Sequence, residues 1–163
     1  MATAPIEDLA AVEQLEETMR GDLIDPDDQE YDDAREIYNA MIDKRPRLIA
    51  RCANVADVIE AVDFACEHDL DTAIRGGGHN GAGLALVEDG LVIDLSDMTG
   101  IRVDPEARTA RVEAGCTWGD VDHATHAFGL VTVSGVVSTT GVGGLTLGGG
   151  HGRPSEITRT PIN

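Results

Sequence analysis

Two glycine clusters and one histidine carry most of the chemistry visible in this chain. The first cluster reads Gly76-Gly-Gly-His-Asn-Gly-Ala-Gly83, directly after Arg75. The second reads Gly141-Val-Gly-Gly-Leu-Thr-Leu-Gly-Gly-Gly150, directly after Thr139 and Thr140. Glycine lets backbone approach a ligand closely and adopt positive φ, so successive N–H groups can converge on phosphate oxygens. Such nests bind anions without lysine, which suits a chain whose twelve basic residues include one lysine, Lys44. A single cluster is as well explained by a tight turn or bulge. Two clusters, each following a strand-like segment, point to a phosphate-bearing ligand.

The first cluster formally matches G-x-G-x-x-G at Gly76, Gly78 and Gly81. The dinucleotide fingerprint of that form must open a crossover helix, with an acidic residue about 20 positions on. Here Glu88-Asp-Gly90 turns the chain soon after Gly83 and a strand-like run begins at Leu91, so a Rossmann reading fails. The chain has no G-x-x-x-x-G-K-[ST], which excludes a P-loop.

His79 sits between glycines, where core packing gives no reason for an imidazole. It can contact phosphate, ligate a metal, act as a base or bond a cofactor; the bland alternative is an exposed loop histidine. His123 and His126 form an H-x-x-H pair one turn after Asp120, yet no other ligand pair accompanies them, so surface histidines are expected and no metal. Cys116, just before a helical pattern, reads as a buried small thiol, since nothing marks a base beside it. His151 follows the second cluster and is a weaker candidate for the same ligand.

These residues need elements to position them. Leu9, Val12, Leu15 and Met19 recur at helical spacing in an acidic segment, residues 1–30, that ends in the turn Asp25-Pro-Asp-Asp28. Ala34, Ile37, Tyr38, Met41 and Ile42 predict a second helix stopping before Pro46. Arg47-Leu-Ile-Ala-Arg-Cys52 reads as a strand, Asn54 as the cap of a helix carrying Val58, Ile59, Val62, Ala65 and Cys66, and Thr72-Ala-Ile-Arg75 as a second, parallel strand. Leu91-Val-Ile-Asp-Leu95 is a further strand, and Ile101-Arg-Val103 with Thr109-Ala-Arg-Val-Glu113 a hairpin around Asp104-Pro-Glu-Ala-Arg108. A helix is expected over residues 117–128, with Trp118, Val121 and Phe128 on one side. Residues 153–163 form a polar, patternless tail.

Composition bounds the function. The 163 residues hold 30 acidic and 12 basic side chains, a formal net charge of −18, and are 42% hydrophobic but 3% aromatic. Such charge repels nucleic acid and anionic lipid, and so few aromatics cannot build a base-stacking platform. No apolar run approaches the roughly 18 residues of a membrane span, and the N-terminus is acidic where a signal peptide is basic. A cytoplasmic protein with reduced cysteines (Cys52, Cys66 and Cys116) is expected. Arginine in place of lysine, with excess acid, looks like adaptation to high salt; the bland alternative is an ordinary acidic protein with Arg-biased codons.

The segments Ile74-Arg-Gly-Gly-Gly-His-Asn-Gly-Ala-Gly83, Val92-Ile-Asp-Leu-Ser96 and Val136-Val-Ser-Thr-Thr-Gly-Val-Gly-Gly-Leu-Thr-Leu-Gly-Gly-Gly-His-Gly152 resemble the FAD-binding domain of berberine bridge enzyme-like flavoproteins. These belong to the vanillyl-alcohol oxidase / p-cresol methylhydroxylase (PCMH) superfamily. The likeness covers residues 31–152, including Asn39, Pro46 and Gly115-Cys-Thr-Trp-Gly-Asp120. It implies an α+β, PCMH-type FAD-binding fold, with a βαβ first subdomain over about residues 46–96 and a partial second subdomain over about 101–152. It further implies that residues 75–83 (Arg75, Gly76, Gly77, Gly78, His79, Asn80, Gly81 and Gly83) wrap the diphosphate. Thr139, Thr140, Gly141, Gly143, Gly144, Gly148, Gly149 and Gly150 would line the other side of the cofactor.

In this family the position of His79 bonds the flavin 8α-methyl. Val137 stands where some members add a cysteine link, so one covalent bond is expected. The implied enzyme passes hydride from an alcohol or sugar-like small molecule to flavin N5. Its substrate domain and catalytic base would follow the second cluster, where this chain has only its polar tail, so the chain reads as C-terminally truncated or frame-shifted near Arg153, with no catalytic residue of its own. The competing reading is a non-catalytic or decayed module that binds another phosphate or nucleotide ligand.

The charge balance makes a direct prediction. Self-repulsion at −18 is screened over about 10 Å in 0.1 M salt and about 3 Å in 1 M. The melting temperature should rise markedly between dilute buffer and molar KCl. A flat melting temperature across that range would refute adaptation to salt.

Overall fold

The computed structural model describes residues 9–149. In chain order it contains α1 (Leu9–Thr18), β1 (Asp22–Ile24), α2 (Tyr31–Ala34), β2 (Leu48–Arg51), α3 (Val55–Glu67), β3 (Thr72–Arg75), β4 (Leu91–Asp94), β5 (Ile101–Asp104), β6 (Thr109–Val112), α4 (Trp118–His126) and α5 (Val142–Gly148). The first seven elements build a four-stranded sheet in the order β1-β2-β4-β3, and β5 and β6 pair as a separate hairpin.

β2 and β3 both run parallel to β4, which lies between them, while β1 is antiparallel to β2. Strands covered on both faces read as continuous apolar runs, and every residue of β4 is buried. Successive side chains alternate between faces. Leu48, Ala50, Leu91 and Ile93 point to a core closed by Leu15 and Met19 near α1 and by Ala61, Phe64 and Ala65 of α3. Ile49, Val92, Ala73 and Ile24 point the other way, onto Tyr31, Ala34 and Leu86. A third cluster, Cys116, Trp118 and Val121 with Val142 and Leu145, joins α4 to α5.

Several expected elements are present. Asn54 caps α3 by accepting the amides of Ala56 and Asp57, and Thr117 forms a capping box with Asp120 at the start of α4. Others differ. The acidic N-terminal segment adds a strand that its pattern did not suggest, β1, which extends the sheet, and Leu15 is 4% exposed. The helix expected across residues 34–45 stops after α2. Beyond it, tertiary bonds replace the helical ladder: Tyr38 N–H donates to Gly78 O (3.3 Å) and the Asn39 side chain to Gly81 O (3.0 Å). On α3 the buried residues are Asp57, Ala61, Phe64 and Ala65, whereas Ile59 and Val62 are exposed. Phe128, expected beside Trp118 and Val121, is also exposed. The second glycine cluster is mostly helix, since Val142 and Leu145 anchor α5 on the third core.

Asp57 shows how a polar group earns a place in this core. Its carboxylate is 1% exposed and accepts the amides of Arg20 (3.0 Å), Gly21 (3.0 Å) and Ala53 (2.8 Å), tying the α1–β1 junction to the start of α3. Burial alone would raise its pKa; the amides of Arg20, Ala53 and Gly21 outweigh that and hold it below the ordinary 3.8.

Because the folded pKa lies below the unfolded one, this stabilisation is complete above the ordinary carboxylate value and lost as pH falls through the folded value. Asp57→Ala should cost several kcal/mol, at about 1–3 kcal/mol for each buried donor left without a partner. In denaturant titrations the variant should also lose less stability than wild type between about pH 5 and 2. Parallel pH profiles would refute the role given to Asp57.

Candidate functional site

The site starts where β3 and β4 end together. Arg75 and Asp94 are register partners at the carboxyl ends of these parallel strands, the edge of an α/β sheet where loops meet ligands. Asp94 is fully buried. It accepts Arg75 Nη2 at 2.5 Å, Ser96 N–H at 3.1 Å and Ser96 Oγ at 3.0 Å. Arg75 also donates to the carbonyls of Ala34 and Glu36. Its guanidinium charge is therefore met inside the protein, and it fixes the base of the first glycine loop rather than standing free toward a ligand.

From Arg75 the chain enters residues 76–83. Gly78 and Gly83 adopt φ of +65° and +71°, where a side chain would be strained. Asn80 folds the rest of the loop by accepting the amides of Ala82 and Leu84 on Oδ1. Residues 138–142 reach the loop from the other half of the chain, laced to residues 116–119 by Trp118 N–H to Thr140 O, Gly119 N–H to Ser138 O and Val142 N–H to Cys116 O. The two glycine segments then meet backbone to backbone. A Cβ on Gly77 would fall 2.6 Å from Gly141 Cα, and one on Gly141 would fall 2.8 Å from Gly77 Cα, so neither position has room for a side chain. Among the described residues, the consecutive amides of residues 76–80 have no acceptor. Such a run of donors can receive an anion or water.

His79 is half-buried and held on several sides. Its Nε2 lies 3.1 Å from Thr139 Oγ1 and its Nδ1 3.5 Å from Thr140 Oγ1. The Tyr38 ring stacks on it with centroids 4.2 Å apart and planes 18° from parallel. The histidine that the sequence sets among glycines thus has side-chain neighbours from two distant segments. Tyr38 was legible only as one position of a helix face, and nothing in its sequence neighbourhood ties it to a loop far along the chain.

Two clefts flank the junction. The larger, ≈ 680 Å³, is lined by Glu30, Asp33, Glu36, Asp94 and Asp120 against Arg51 and Arg75, an unfavourable setting for a diphosphate. The smaller, ≈ 360 Å³, takes its walls from both clusters: Gly76, Gly77, Gly78, His79 and Asn80 on one side, with Thr140, Gly141, Gly144, Gly148 and Gly149 on the other. It has no charged side chain among its described lining residues. The smaller cleft is the less repulsive of the two for an anionic group.

Gly81 lies in the same loop with open space around its α-carbon, and Gly143 packs on Ala114. Gly150 and His151 lie outside the described residues. Cys116 is fully buried and burial pushes its thiol up, consistent with a packing role. His123 and His126 are exposed on α4, and the described residues contain no group of three potential metal ligands. No helix among the described residues is long and apolar enough to cross a membrane. Trp118 Nε1 is buried without a described partner, a donor that sequence reasoning did not single out.

Comparison with known proteins agrees with this geometry. (R)-6-hydroxynicotine oxidase of Paenarthrobacter nicotinovorans is 38% identical over 135 residues, covering 83% of this chain and 30% of that protein. An FAD-linked oxidoreductase of Dictyostelium discoideum is 39% identical over 146 residues, covering 89% and 32%. The crystal structure of 6-hydroxy-D-nicotine oxidase from Arthrobacter nicotinovorans matches with a TM-score of 0.81 at 38% identity, covering 83% of this chain and 30% of that one. BBE-like 1 of Physcomitrella patens matches at 0.80 and 32% identity, covering 86% and 31%. The chain thus spans about 30% of the length of the relatives it matches. The α+β, PCMH-type fold expected from the sequence is the fold these structures share with it. Residues 46–160 match the sequence model of the FAD binding domain, and the chain belongs to that family of FAD-linked oxidoreductases.

Proposed function

We propose that this chain forms the FAD-embracing part of an oxidoreductase, with the diphosphate received by the backbone amides of residues 76–80 and the cofactor lying in the cleft between the two glycine segments. The observation that carries this reading is the run of unmet amides at a junction too tight for any Cβ. The residues fit the group: an anion nest, a wall without carboxylates, and glycines that keep side chains out of the cleft.

Each residue has a task. Gly76, Gly77 and Gly78 present amides; Gly141 and Gly144 form the opposite wall; Arg75, paired with Asp94, anchors the loop from behind. Asn80, Gly81 and Gly83 shape its return, and Thr139 and Thr140 hold His79. Gly148 and Gly149 extend the second wall. Bound FAD supplies a two-electron acceptor for a small organic substrate such as an alcohol or a sugar-like molecule. We assign His79 the single covalent link to the flavin, with Val137 leaving no second one.

The test is flavin retention. FAD binding followed by fluorescence should weaken at least tenfold in Gly77→Ala, because the added methyl meets Gly141; an unchanged melting temperature would assign the loss to the site. After acid precipitation yellow colour should stay with the wild-type protein, and the tryptic peptide of residues 76–102 should carry the mass of FAD. His79→Ala should bind flavin only reversibly. Release of all flavin into the acid supernatant would remove the covalent assignment and leave cofactor binding by the loops in place. Unaltered binding by Gly77→Ala would overturn the loop reading itself.

A further inference from the structure

The family match covers the glycine loops and the two threonines beside His79, yet a further segment that holds His79 lies far from both loops in sequence. Residues 37–39 follow α2 and run across the first loop as a bracket. Tyr38 N–H donates to Gly78 O on one side of His79, and Asn39 Nδ2 donates to Gly81 O on the other. Ile37 lies under Gly78, whose α-carbon would place a Cβ 3.4 Å from Ile37 Cγ2. Between these tethers the Tyr38 ring stacks on the imidazole at 4.2 Å. Tyr38 is nevertheless 71% exposed, so burial of its ring does not explain its position. A large aromatic left in solvent, with its backbone tied down and one face covering one imidazole, is arranged for that imidazole.

We propose that Tyr38 is a positioning residue for attachment of flavin to His79: with Thr139 it holds the ring in one orientation before the cofactor arrives. The inference rests on the covalent link assigned to His79 above. An imidazole on an unsupported glycine loop samples many rotamers, and ordering a side chain costs on the order of 0.5–2 kcal/mol. A stacked ring and a hydrogen bond at 3.1 Å meet that cost beforehand, the same gain that orientation gives any bond-forming step. In the attachment, one C–H of the 8α-methyl and the imidazole N–H are replaced by one C–N bond. The two hydrogens leave as two protons and two electrons. The flavin ring system accepts the electrons, and dioxygen takes them on, giving hydrogen peroxide.

The experiment uses the full chain with FAD supplied in air, comparing wild type, Tyr38→Ala, Tyr38→Phe and His79→Ala. Acid-stable flavin is measured against time, and NMR follows the imidazole ring protons, which an adjacent stacked ring shifts upfield. Tyr38→Ala should attach flavin at least tenfold more slowly and lose the upfield shift; Tyr38→Phe should restore both, since it keeps the ring and drops only the hydroxyl. In the His79→Ala background, Tyr38→Ala should leave the Kd for reversible FAD unchanged, which separates orientation of His79 from a general role in binding. Equal attachment rates in wild type and Tyr38→Ala would overturn the inference while the covalent link stands, and so would an equal loss of reversible affinity. Absence of any acid-stable flavin in wild type would overturn the covalent link, and this inference with it.

Discussion

The contact between Gly77 and Gly141 is the constraint on which the rest of this structure turns. Two segments far apart in sequence touch through main chain alone, and each α-carbon occupies the space where the other's Cβ would stand. Such an approach works only if both segments are rigidly delivered. The parallel strands β3 and β4 deliver the first, and the lacing of residues 138–142 onto the start of α4 delivers the second. The hairpin, α4 and α5 have few reasons to sit where they do other than to present that second segment.

Charge is distributed in keeping with this geometry. The arginine nearest the loops, Arg75, is spent on Asp94, and Arg51 lies 3.0 Å from Glu30. For the diphosphate proposed above, fixed backbone dipoles would stand in place of mobile cations. Amides locked in a loop have already lost their conformational freedom, whereas a long basic side chain loses its own only on binding. In a chain of net charge −18 this also avoids gathering cations that neighbouring carboxylates would claim.

The sequence was most informative where local chemistry decides structure. The glycine clusters, the Asn54 cap, the strands around α3 and the β5–β6 hairpin are all readable from spacing and residue type, and the resemblance to flavoproteins rests on those same stretches. It was least informative where distant partners decide. Ile37, Tyr38, Met41 and Ile42 carry a helical period, but Gly78 O captures the Tyr38 amide that a helix there would have used, and the Asn39 side chain ties the segment to Gly81 O. Val142 and Leu145 draw a glycine-rich run into a helix because the third core rewards their burial more than glycine penalises the turn. Nothing in the sequence marks Asp57 as buried, because the three amides on its carboxylate come from residues 20, 21 and 53.

The larger cleft has a meaning of its own. It shares Gly76, Gly77 and Gly78 with the smaller one, so the same loop separates a carboxylate-lined chamber from one with no charged side chain among its described lining residues. Carboxylates repel an anion on one side of that partition, and the described residues on the other side hold none. The loop is thus a boundary across which the local charge changes, within the width of one chain.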